Sequence, residues 1–262
     1  MELGKYRQTV IASVKKSAAY KASVVVGLVN SVVMLVLYYA IWSSIASSGS
    51  LKGGLTQVMS YLVIGQAVAR ATGLRTENFL GKRVRKGSIT NELKRPMSIR
   101  RYVYFHEVGS KLLEAAAMSL PILALGMFFF GVRIPGVQQL MLFGTSLFLA
   151  FNLVFAASFI TSVLAFWTKV EWSLRMMRNL LTNLFSGRMF PLYLVPAAIS
   201  PVFEVLPFRG MVDTPVQIFM GRATGREALM LLGHQLIWIL VLLGVGELVW
   251  SKAREQLTVQ GG

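Results

Sequence analysis

The run SVVVGLVNSVVMLVLYYAI, residues 23–41, decides the fold class of this chain. It carries no charged side chain and lies inside an apolar stretch that extends over residues 22–46. A helix of about 20 apolar residues can cross a hydrocarbon core about 30 Å thick. The stretch is also longer than the apolar region of a cleavable signal peptide, which has roughly 7–15 residues. We therefore predict that it is the first transmembrane helix of an all-α membrane protein.

The composition of the whole chain agrees with this interpretation. Of its 262 residues, 55% are hydrophobic and 15% are charged, whereas a soluble domain carries about 25% charged residues. No long hydrophilic linker divides the chain, so residues 1–262 are predicted to form a single transmembrane domain. The apolar stretches predict six spans, at residues 22–46, 55–74, 112–132, 140–168, 179–200 and 229–250.

Residues 1–21 precede the first span and are predicted to form an amphipathic helix on the membrane surface. Apolar side chains recur there at helical spacing, while the lysines fall largely on other faces. The apolar positions are Leu3, Tyr6, Val10, Val14 and Ala18.

The distribution of positive charge predicts the topology. The formal net charge is +16, and the cations crowd the ends of the apolar stretches. Twenty of the 27 Lys and Arg residues fall on one side of the predicted spans and six on the other, with Arg70 inside the second span. By the positive-inside rule the more basic side is cytoplasmic, so both termini are predicted to be cytoplasmic. The expected partner of these cations is the lipid bilayer and not nucleic acid.

The fifth span is predicted to be broken. Five of the eight prolines fall between residues 191 and 215, and each interior proline removes a helical hydrogen bond. Broken backbone at membrane depth is tolerated only where it is buried in protein or lines a wet cavity. We predict short half-helices that re-enter from the outer surface between spans five and six. Their prolines are Pro191, Pro196, Pro201, Pro207 and Pro215.

The segment RKGSITNELKRPMSIRRY, residues 85–102, lies between spans two and three. Its pattern predicts two helices, the first capped by Ser88 and ended by Pro96, the second capped by Ser98 and continuing into span three. The simpler interpretation is a basic loop that lies on lipid head groups. The separate capped helix, with Glu92 among the bases, favours a protein partner. The chain itself has no G-x-x-x-x-G-K-[ST] phosphate loop.

The order of these features resembles the ABC-2 type permeases, which are membrane subunits of ATP-binding-cassette exporters with a type V-like fold. The resemblance is carried by an R-x-G-x-I…L-x-R-P pattern between spans two and three, by the amphipathic N-terminal helix and by the broken segment. The pattern residues are Arg85, Gly87, Ile89, Leu93, Arg95 and Pro96. The motif LPF at residues 206–208, Pro215, Gly221 and the VQGG at residues 259–262 resemble a bacterial and cyanobacterial subgroup.

The resemblance implies a set of partners and contacts. The short helix would be a cytoplasmic coupling helix that docks on a separate ATPase subunit, with Glu92 and Arg95 as charged contacts, and residues 1–21 would be the connecting helix. ATP and Mg would bind to the ATPase and no cofactor to this chain. A second permease, identical or a sister chain, would complete a dimer in the bacterial cytoplasmic membrane. The coupling residues would be Ser88, Ile89, Glu92, Leu93, Arg95 and Pro96.

Polar and aromatic residues within the spans are candidates for a translocation path at a dimer interface. They are Asn30, Tyr38, Tyr39, Trp42 and Asn183. Asn30 and Asn183 fit equally well as interhelical hydrogen-bonding residues, and aromatic residues near a span end are typical of an interfacial belt. The cargo of such a path could be a lipid-like or drug-like molecule, a peptide or a glycan.

Other ionisable residues predict no catalytic or metal site. His106 is placed at the interface, and His234 fits an interhelical hydrogen bond better than a proton relay. Glu107, Lys111 and Glu114 have the spacing to neutralise one another along one helix. Glu247 lies about one turn from the interface, and its role stays open.

Two other functions remain compatible with the sequence. An ATP-independent secondary carrier would prefer inverted repeats with broken helices in both halves, whereas here only the fifth span is broken. A non-transporting scaffold or assembly factor would use the basic loop to bind lipid or a partner. The resemblance favours a permease that exports its substrate.

Overall fold

The structure, a computed structural model, describes residues 7–14, 21–49, 51, 53–74, 76–85, 98–168 and 170–259. Every regular element in these ranges is a helix, so the predicted all-α class is confirmed. The long helices are α1 (Lys21–Ser47), α2 (Gly54–Thr72), α3 (Thr76–Arg85), α4 (Ile99–Phe130), α5 (Val137–Thr168) and α6 (Glu171–Phe185). Two short helices, α7 (Ser200–Val205) and α8 (Asp213–Phe219), precede the last long helix, α9 (Gly225–Val259). Residues 7–14 are helical, and two 3₁₀ turns cover Leu192–Leu194 and Pro207–Met211.

Helix α5 forms the centre of the bundle. It carries no charged side chain and packs against α9, α3, α6 and α8. Helix α2 packs along α4, and its side chains from Val58 to Val68 are buried. The core includes Tyr61 and Leu62 of α2 together with Leu153 and Phe159 of α5. Burial of these large apolar side chains against one another holds the helices in one bundle.

By length and composition, three helical segments of the described residues can cross a membrane: Val24–Ser47, Val137–Thr168 and Gly225–Glu255. A fourth is possible if α4 is one span, since its parts Ile99–Lys111 and Glu114–Phe130 meet at an angle of 43°. The chain is therefore a multi-pass membrane protein.

The predicted fifth span, residues 179–200, is not a single helix. Helix α6 begins earlier, at Glu171, and ends at Phe185 after 15 residues, a length of about 22 Å, which is shorter than the hydrocarbon core. Gly187 then turns the chain with a φ of 83°. A Cβ atom at this position would collide with the Tyr61 hydroxyl group, so glycine is required for the close approach. The interruption that the prolines predict is thus observed, and it begins before the first proline.

Four of the five prolines of this broken segment, residues 186–224, lie where their missing N–H groups cost little. Pro191 immediately precedes the first 3₁₀ turn, Pro201 lies in the first turn of α7, and Pro207 begins the second 3₁₀ turn. Pro215 lies in the first turn of α8. Because the first N–H groups of a helix have no partner within it, proline starts these short helices without breaking them.

Asp213 anchors the broken segment. Its carboxylate is fully buried and accepts hydrogen bonds from the Tyr61 hydroxyl at 2.6 Å and the Gln217 amide at 3.0 Å. Nε of Arg209 lies 3.0 Å from the same carboxylate. The backbone N–H of Asp213 also donates to the Ser186 carbonyl oxygen at 3.0 Å. The side chain of Asp213 therefore ties the segment to α2 through Tyr61, and its backbone ties the segment to Ser186, directly after α6.

Side chains of α9 also hold the broken segment. The buried Gln235 amide donates to the carbonyl oxygens of Gly210 at 2.7 Å and Ser146 at 3.1 Å. The Trp238 indole donates to the Val205 carbonyl oxygen at 2.8 Å, and Nε2 of His234 lies 3.3 Å from that oxygen. The bonds to Gly210 and Val205 satisfy carbonyl groups of the broken segment, where the helices are interrupted. His234 thus has a structural contact of the kind predicted for it.

The N-terminal helical residues 7–14 pack against α4 at Gly109. A Cβ atom at Gly109 would come within 2.6 Å of the Val10 carbonyl oxygen, so the absence of a side chain permits this contact. The remaining residues of the predicted connecting helix, 1–6 and 15–20, lie outside the described residues.

The predicted coupling helix, from Ser88 to Pro96, also lies outside the described residues. Its flanks are described: α3 ends at Arg85, and α4 begins directly after Ser98. The start of α4 agrees with the predicted second helix. Ser98 makes no side-chain capping hydrogen bond, although its carbonyl oxygen accepts the Tyr102 N–H at 3.0 Å.

Candidate functional site

A cavity of about 410 Å³ opens between α2, α4, α6 and the turn that follows α6. Four of its lining side chains are cationic and one is a carboxylate. The cations are Arg70, Lys111, Arg175 and Arg188, the acid is Glu114, and Ala69, Gly73, Leu74 and Asn179 complete the lining. We refer to it as the basic cavity.

Arg70 is held at the basic cavity by α1. Its Nε donates to the Ser31 hydroxyl at 2.9 Å and its Nη2 to the Asn30 side-chain oxygen at 3.0 Å. The Ser31 hydroxyl donates in turn to the Gly27 carbonyl oxygen at 2.9 Å. Asn30 therefore makes an interhelical hydrogen bond, and it orients Arg70, which lines the cavity.

Arg188 is held by two other candidate path residues. Its Nη1 donates to the Asn183 side-chain oxygen at 3.2 Å, and the Tyr38 hydroxyl lies 3.5 Å from its carbonyl oxygen. Arg188 follows the end of α6 at Phe185 and lines the same cavity as Arg70 and Arg175.

The two remaining candidates, Tyr39 and Trp42, do not line the basic cavity. The ring of Tyr39 is exposed and lies 6.2 Å from the ring of Phe130, at the far end of α4. Trp42 packs against the edge of the core. Of the five predicted path residues, Asn30, Tyr38 and Asn183 thus contact arginines that line the basic cavity, and Tyr39 and Trp42 do not line it.

Lys111 and Glu114 lie on the α4 side of the cavity. Nζ of Lys111 is 3.2 Å from Glu114 and 3.5 Å from the Arg70 carbonyl oxygen. The pair confirms part of the neutralisation expected along α4. Glu107, the third member of the predicted group, is buried one turn earlier.

Comparison with known protein families identifies the kind of protein to which this cavity belongs. The family described as ABC-2 family transporter protein matches residues 28–261. The chain belongs to this family. A comparison with curated proteins finds no significant match. The family match confirms the resemblance seen in the sequence, and it makes the chain a permease, the membrane transport component that associates with an ATP-binding-cassette ATPase.

A buried ion pair in this ABC-2 permease was not foreseen from its sequence. Nε of Arg178 on α6 lies 2.6 Å from Glu77 on α3, and both side chains are buried. The Thr161 hydroxyl of α5 donates to the same carboxylate at 2.7 Å, and Nη2 of Arg178 donates to the Leu74 carbonyl oxygen at 3.1 Å. Leu74 lines the basic cavity. The ion pair and the Thr161 hydrogen bond therefore join α3, α5 and α6 beside the cavity.

Glu247 of the permease also forms an ion pair. It lies 2.7 Å from Arg100, so that α9 is joined to the start of α4. Both side chains are substantially exposed, and ion pairs of this kind contribute little stability, about 0–1 kcal/mol. Within the described part of the chain, no group of three or more His, Asp or Glu side chains is arranged to hold a metal ion.

A second cavity, of about 310 Å³, lies within the broken segment of the permease. Its charges are mixed, and the Arg222 guanidinium stacks 3.7 Å from the centre of the Tyr193 ring. The charged lining residues are Glu204, Asp213 and Glu227 with Arg209 and Arg222. Acids and bases are thus close in number among its lining residues.

The proximity of the four cations of the basic cavity was not predicted from the sequence. Arg70 was placed inside the second predicted span, and the other three cations entered the charge count on the two sides of the membrane. The available signal was Arg70 itself, because an arginine inside a span by default suggests a functional site.

Proposed function

We propose that this permease is the membrane subunit of an ATP-driven exporter whose ATP is hydrolysed by a separate polypeptide. The observation that carries the proposal is the family match over residues 28–261. The 262 residues contain no phosphate loop, so ATP and Mg would bind to the partner ATPase. The membrane would be the bacterial cytoplasmic membrane.

The proposed topology has six spans with both termini on the cytoplasmic side. Besides the helices that are long and apolar enough to cross a membrane, α2 would form the second span, since its 19 residues measure about 28 Å. Its polar residues are tolerable because much of the helix is enclosed by other helices and not by lipid. Helix α6 and the broken segment would together form the fifth passage.

The basic cavity would lie on the transport pathway. Cationic side chains within a membrane bundle are costly unless they face a polar space, and there they mark substrate or ion paths. Asn30, Tyr38 and Asn183 support this position, because each contacts an arginine that lines the cavity. Transport would require this space to open alternately to the two sides of the membrane.

A second permease, identical or a sister chain, would complete the pathway. Support comes from two helices with apolar faces turned away from this chain. Only 17% of the most apolar part of α1 is buried. On α6, side chains at helical spacing are exposed, namely Trp172, Met176, Leu180 and Leu184. Helix α6 also contributes Arg175 and Asn179 to the cavity, so a partner on this face would adjoin the pathway.

The ATPase would act through the segment that joins α3 to α4. Docking at Ser88 to Arg95 would pull on Arg85, the last residue of α3. Because Glu77 fixes α3 to Arg178 of α6, a displacement of α3 would move α6 and the cavity wall with it. Such rigid-body coupling between packed helices is a common means of transmitting conformational change.

The experiment that tests this function is purification of the tagged full-length permease from its native membrane. We expect a stoichiometric partner whose sequence contains a phosphate loop, and ATP hydrolysis by the complex that the permease alone does not show. Repeated purification without such a partner would contradict the proposed function.

Reversal of the two charges in the proposed coupling helix should weaken the contact with the ATPase. The variant Glu92→Lys/Arg95→Glu should reach the membrane normally but retain roughly tenfold less ATPase, because each reversed charge would face its former partner with the wrong sign. The matched control is Arg226→Glu/Glu227→Lys, which reverses two exposed charges at the start of α9. Equal ATPase recovery from both variants would show that the contact lies elsewhere.

A further inference from the structure

The cavity of the broken segment is lined by charges of both signs that do not all pair with one another. Two of its charged side chains, Arg209 and Asp213, form an ion pair at 3.0 Å. The others are Arg222, Glu204 and Glu227, and none of these three forms an ion pair within the described part of the chain. The cavity therefore offers one guanidinium group and two carboxylates to a ligand that carries both charges.

The fold positions each of these three groups. The Arg222 guanidinium stacks on the Tyr193 ring through its face, and a guanidinium group held in this way can donate from its edge to an oxyanion. The Glu204 carboxylate, on α7, accepts a hydrogen bond from the Ser200 hydroxyl at 3.3 Å. Glu227 lies in the first turn of α9. Two carboxylates from different helices suit a primary ammonium group, because it has three N–H donors.

The cavity extends from the membrane boundary into the apolar zone. Helix α9 can cross a membrane over Gly225–Glu255, and Glu227 lies at the start of that segment. Leu231 lines the same cavity one turn further along the helix, about 6 Å deeper. Leu192 and Phe203 add apolar walls. A ligand that matches this lining has charged groups at the boundary and an apolar part beneath them, as a phospholipid does.

The aromatic lining distinguishes between two kinds of zwitterionic headgroup. Among the lining residues that the structure describes, the aromatic ones are Tyr193 and Phe203. Arg222 covers a face of the Tyr193 ring, and the Phe203 ring packs 5.2 Å from the ring of Phe185. A quaternary ammonium group is recognised by a cage of open aromatic faces, whereas a primary ammonium group donates hydrogen bonds to carboxylates. The lining therefore matches ethanolamine better than choline.

We propose that this cavity binds the headgroup of phosphatidylethanolamine, with the phosphate on Arg222 and the ammonium group between Glu204 and Glu227. The acyl chains would lie along exposed apolar side chains that neighbour lining residues in the chain, such as Val202 on α7 and Met230 on α9. The cavity volume of about 310 Å³ falls within the range of small-molecule sites, about 300–1,000 Å³. The inference concerns a bound lipid and does not depend on ATP-driven transport.

Lipid binding is measured by native mass spectrometry of the full-length permease, which is delipidated in detergent and titrated with phosphatidylethanolamine, phosphatidylcholine or phosphatidylglycerol of equal chain length. We expect saturable binding of phosphatidylethanolamine at a roughly tenfold lower concentration than of phosphatidylcholine, because only its ammonium group donates to the two carboxylates. Equal binding of these two lipids, or a preference for phosphatidylglycerol, would overturn the proposal. Phosphoethanolamine is the soluble probe. If it binds as tightly as the lipid, the ligand is a water-soluble zwitterion and the assignment to a lipid is wrong.

Two variants separate the contact with the phosphate from the contact with the ammonium group. Glu204→Gln/Glu227→Gln should remove the preference, so that phosphatidylethanolamine and phosphatidylcholine bind alike. Arg222→Gln should weaken both lipids roughly tenfold and keep the preference. The matched controls are Glu247→Gln and Arg133→Gln, which remove exposed charges outside the cavity lining and should bind lipid as the wild type does. Retention of the preference in the double variant, or equal changes in cavity and control variants, would place the lipid elsewhere.

Discussion

Replacement of Asp213 by alanine is expected to destabilise the permease by about 3–5 kcal/mol, since it removes the acceptor from a buried charged network. The Tyr61 hydroxyl would lose the carboxylate that lies 2.6 Å away, and the Gln217 amide would lose its partner at 3.0 Å. Arg209 would lose the carboxylate that offsets its charge. All three side-chain interactions of Asp213 would then be lost, including the hydrogen bond that joins the broken segment to α2.

The measurement is the thermal unfolding midpoint of detergent-purified protein, followed by intrinsic fluorescence, and we expect it to fall by roughly 10 °C. Asp213→Asn, which keeps one acceptor oxygen, should lie between the wild type and the alanine variant. Glu204→Ala is the matched control, because it removes an exposed acid from the same segment and should leave the midpoint almost unchanged. An equal shift in Glu204→Ala and Asp213→Ala would refute the anchoring role.

The second large effect is expected at the buried pair of Glu77 and Arg178. Glu77→Leu should cost about 3–5 kcal/mol, because it leaves a buried guanidinium group without its counter-charge. Replacement of both residues by leucine should recover most of the lost stability, since two apolar side chains can fill the space of a buried ion pair at little cost.

The double-leucine variant separates stability from coupling. If the pair transmits motion from α3 to α6, the recovered protein should still bind its ATPase but show weaker substrate-stimulated ATP hydrolysis in liposomes. Arg100→Gln, which breaks the exposed pair with Glu247, serves as a comparison that leaves the α3–α6 contact intact. Normal coupling in the double-leucine variant would mean that the ion pair is only structural.

The sequence predicts the class of this fold well because the membrane restricts it strongly. Long apolar stretches without charge leave the backbone few alternatives to a helix, and α1 and α5 lie close to the stretches predicted at residues 22–46 and 140–168. The interruption after α6 was also predictable, since no helix passes through five prolines in 25 residues.

Contacts between residues at the site could not be predicted from the sequence in the same way. Glu77 and Arg178 are separated by 101 residues, and Tyr61 and Asp213 by 152. The chain has 11 acids and 27 Lys or Arg residues, so a single sequence does not say which base each acid meets. Asn30 and Asn183 were recognised because polar side chains in spans are rare, but the arginines that they contact depend on how α1, α2 and α6 pack.

The contact between Arg70 and α1 has a consequence for how the chain enters the bilayer during synthesis. Helix α2 carries Gln66 and Arg70 and lacks the composition of an independent span, so its partition into lipid alone would be unfavourable. Helix α1 is apolar enough to insert first, and it brings the Ser31 and Asn30 oxygens that accept the Arg70 hydrogen bonds. The two helices would therefore leave the translocon as a hairpin, in which the Ser31 and Asn30 oxygens of α1 stabilise the Arg70 side chain of α2 during insertion.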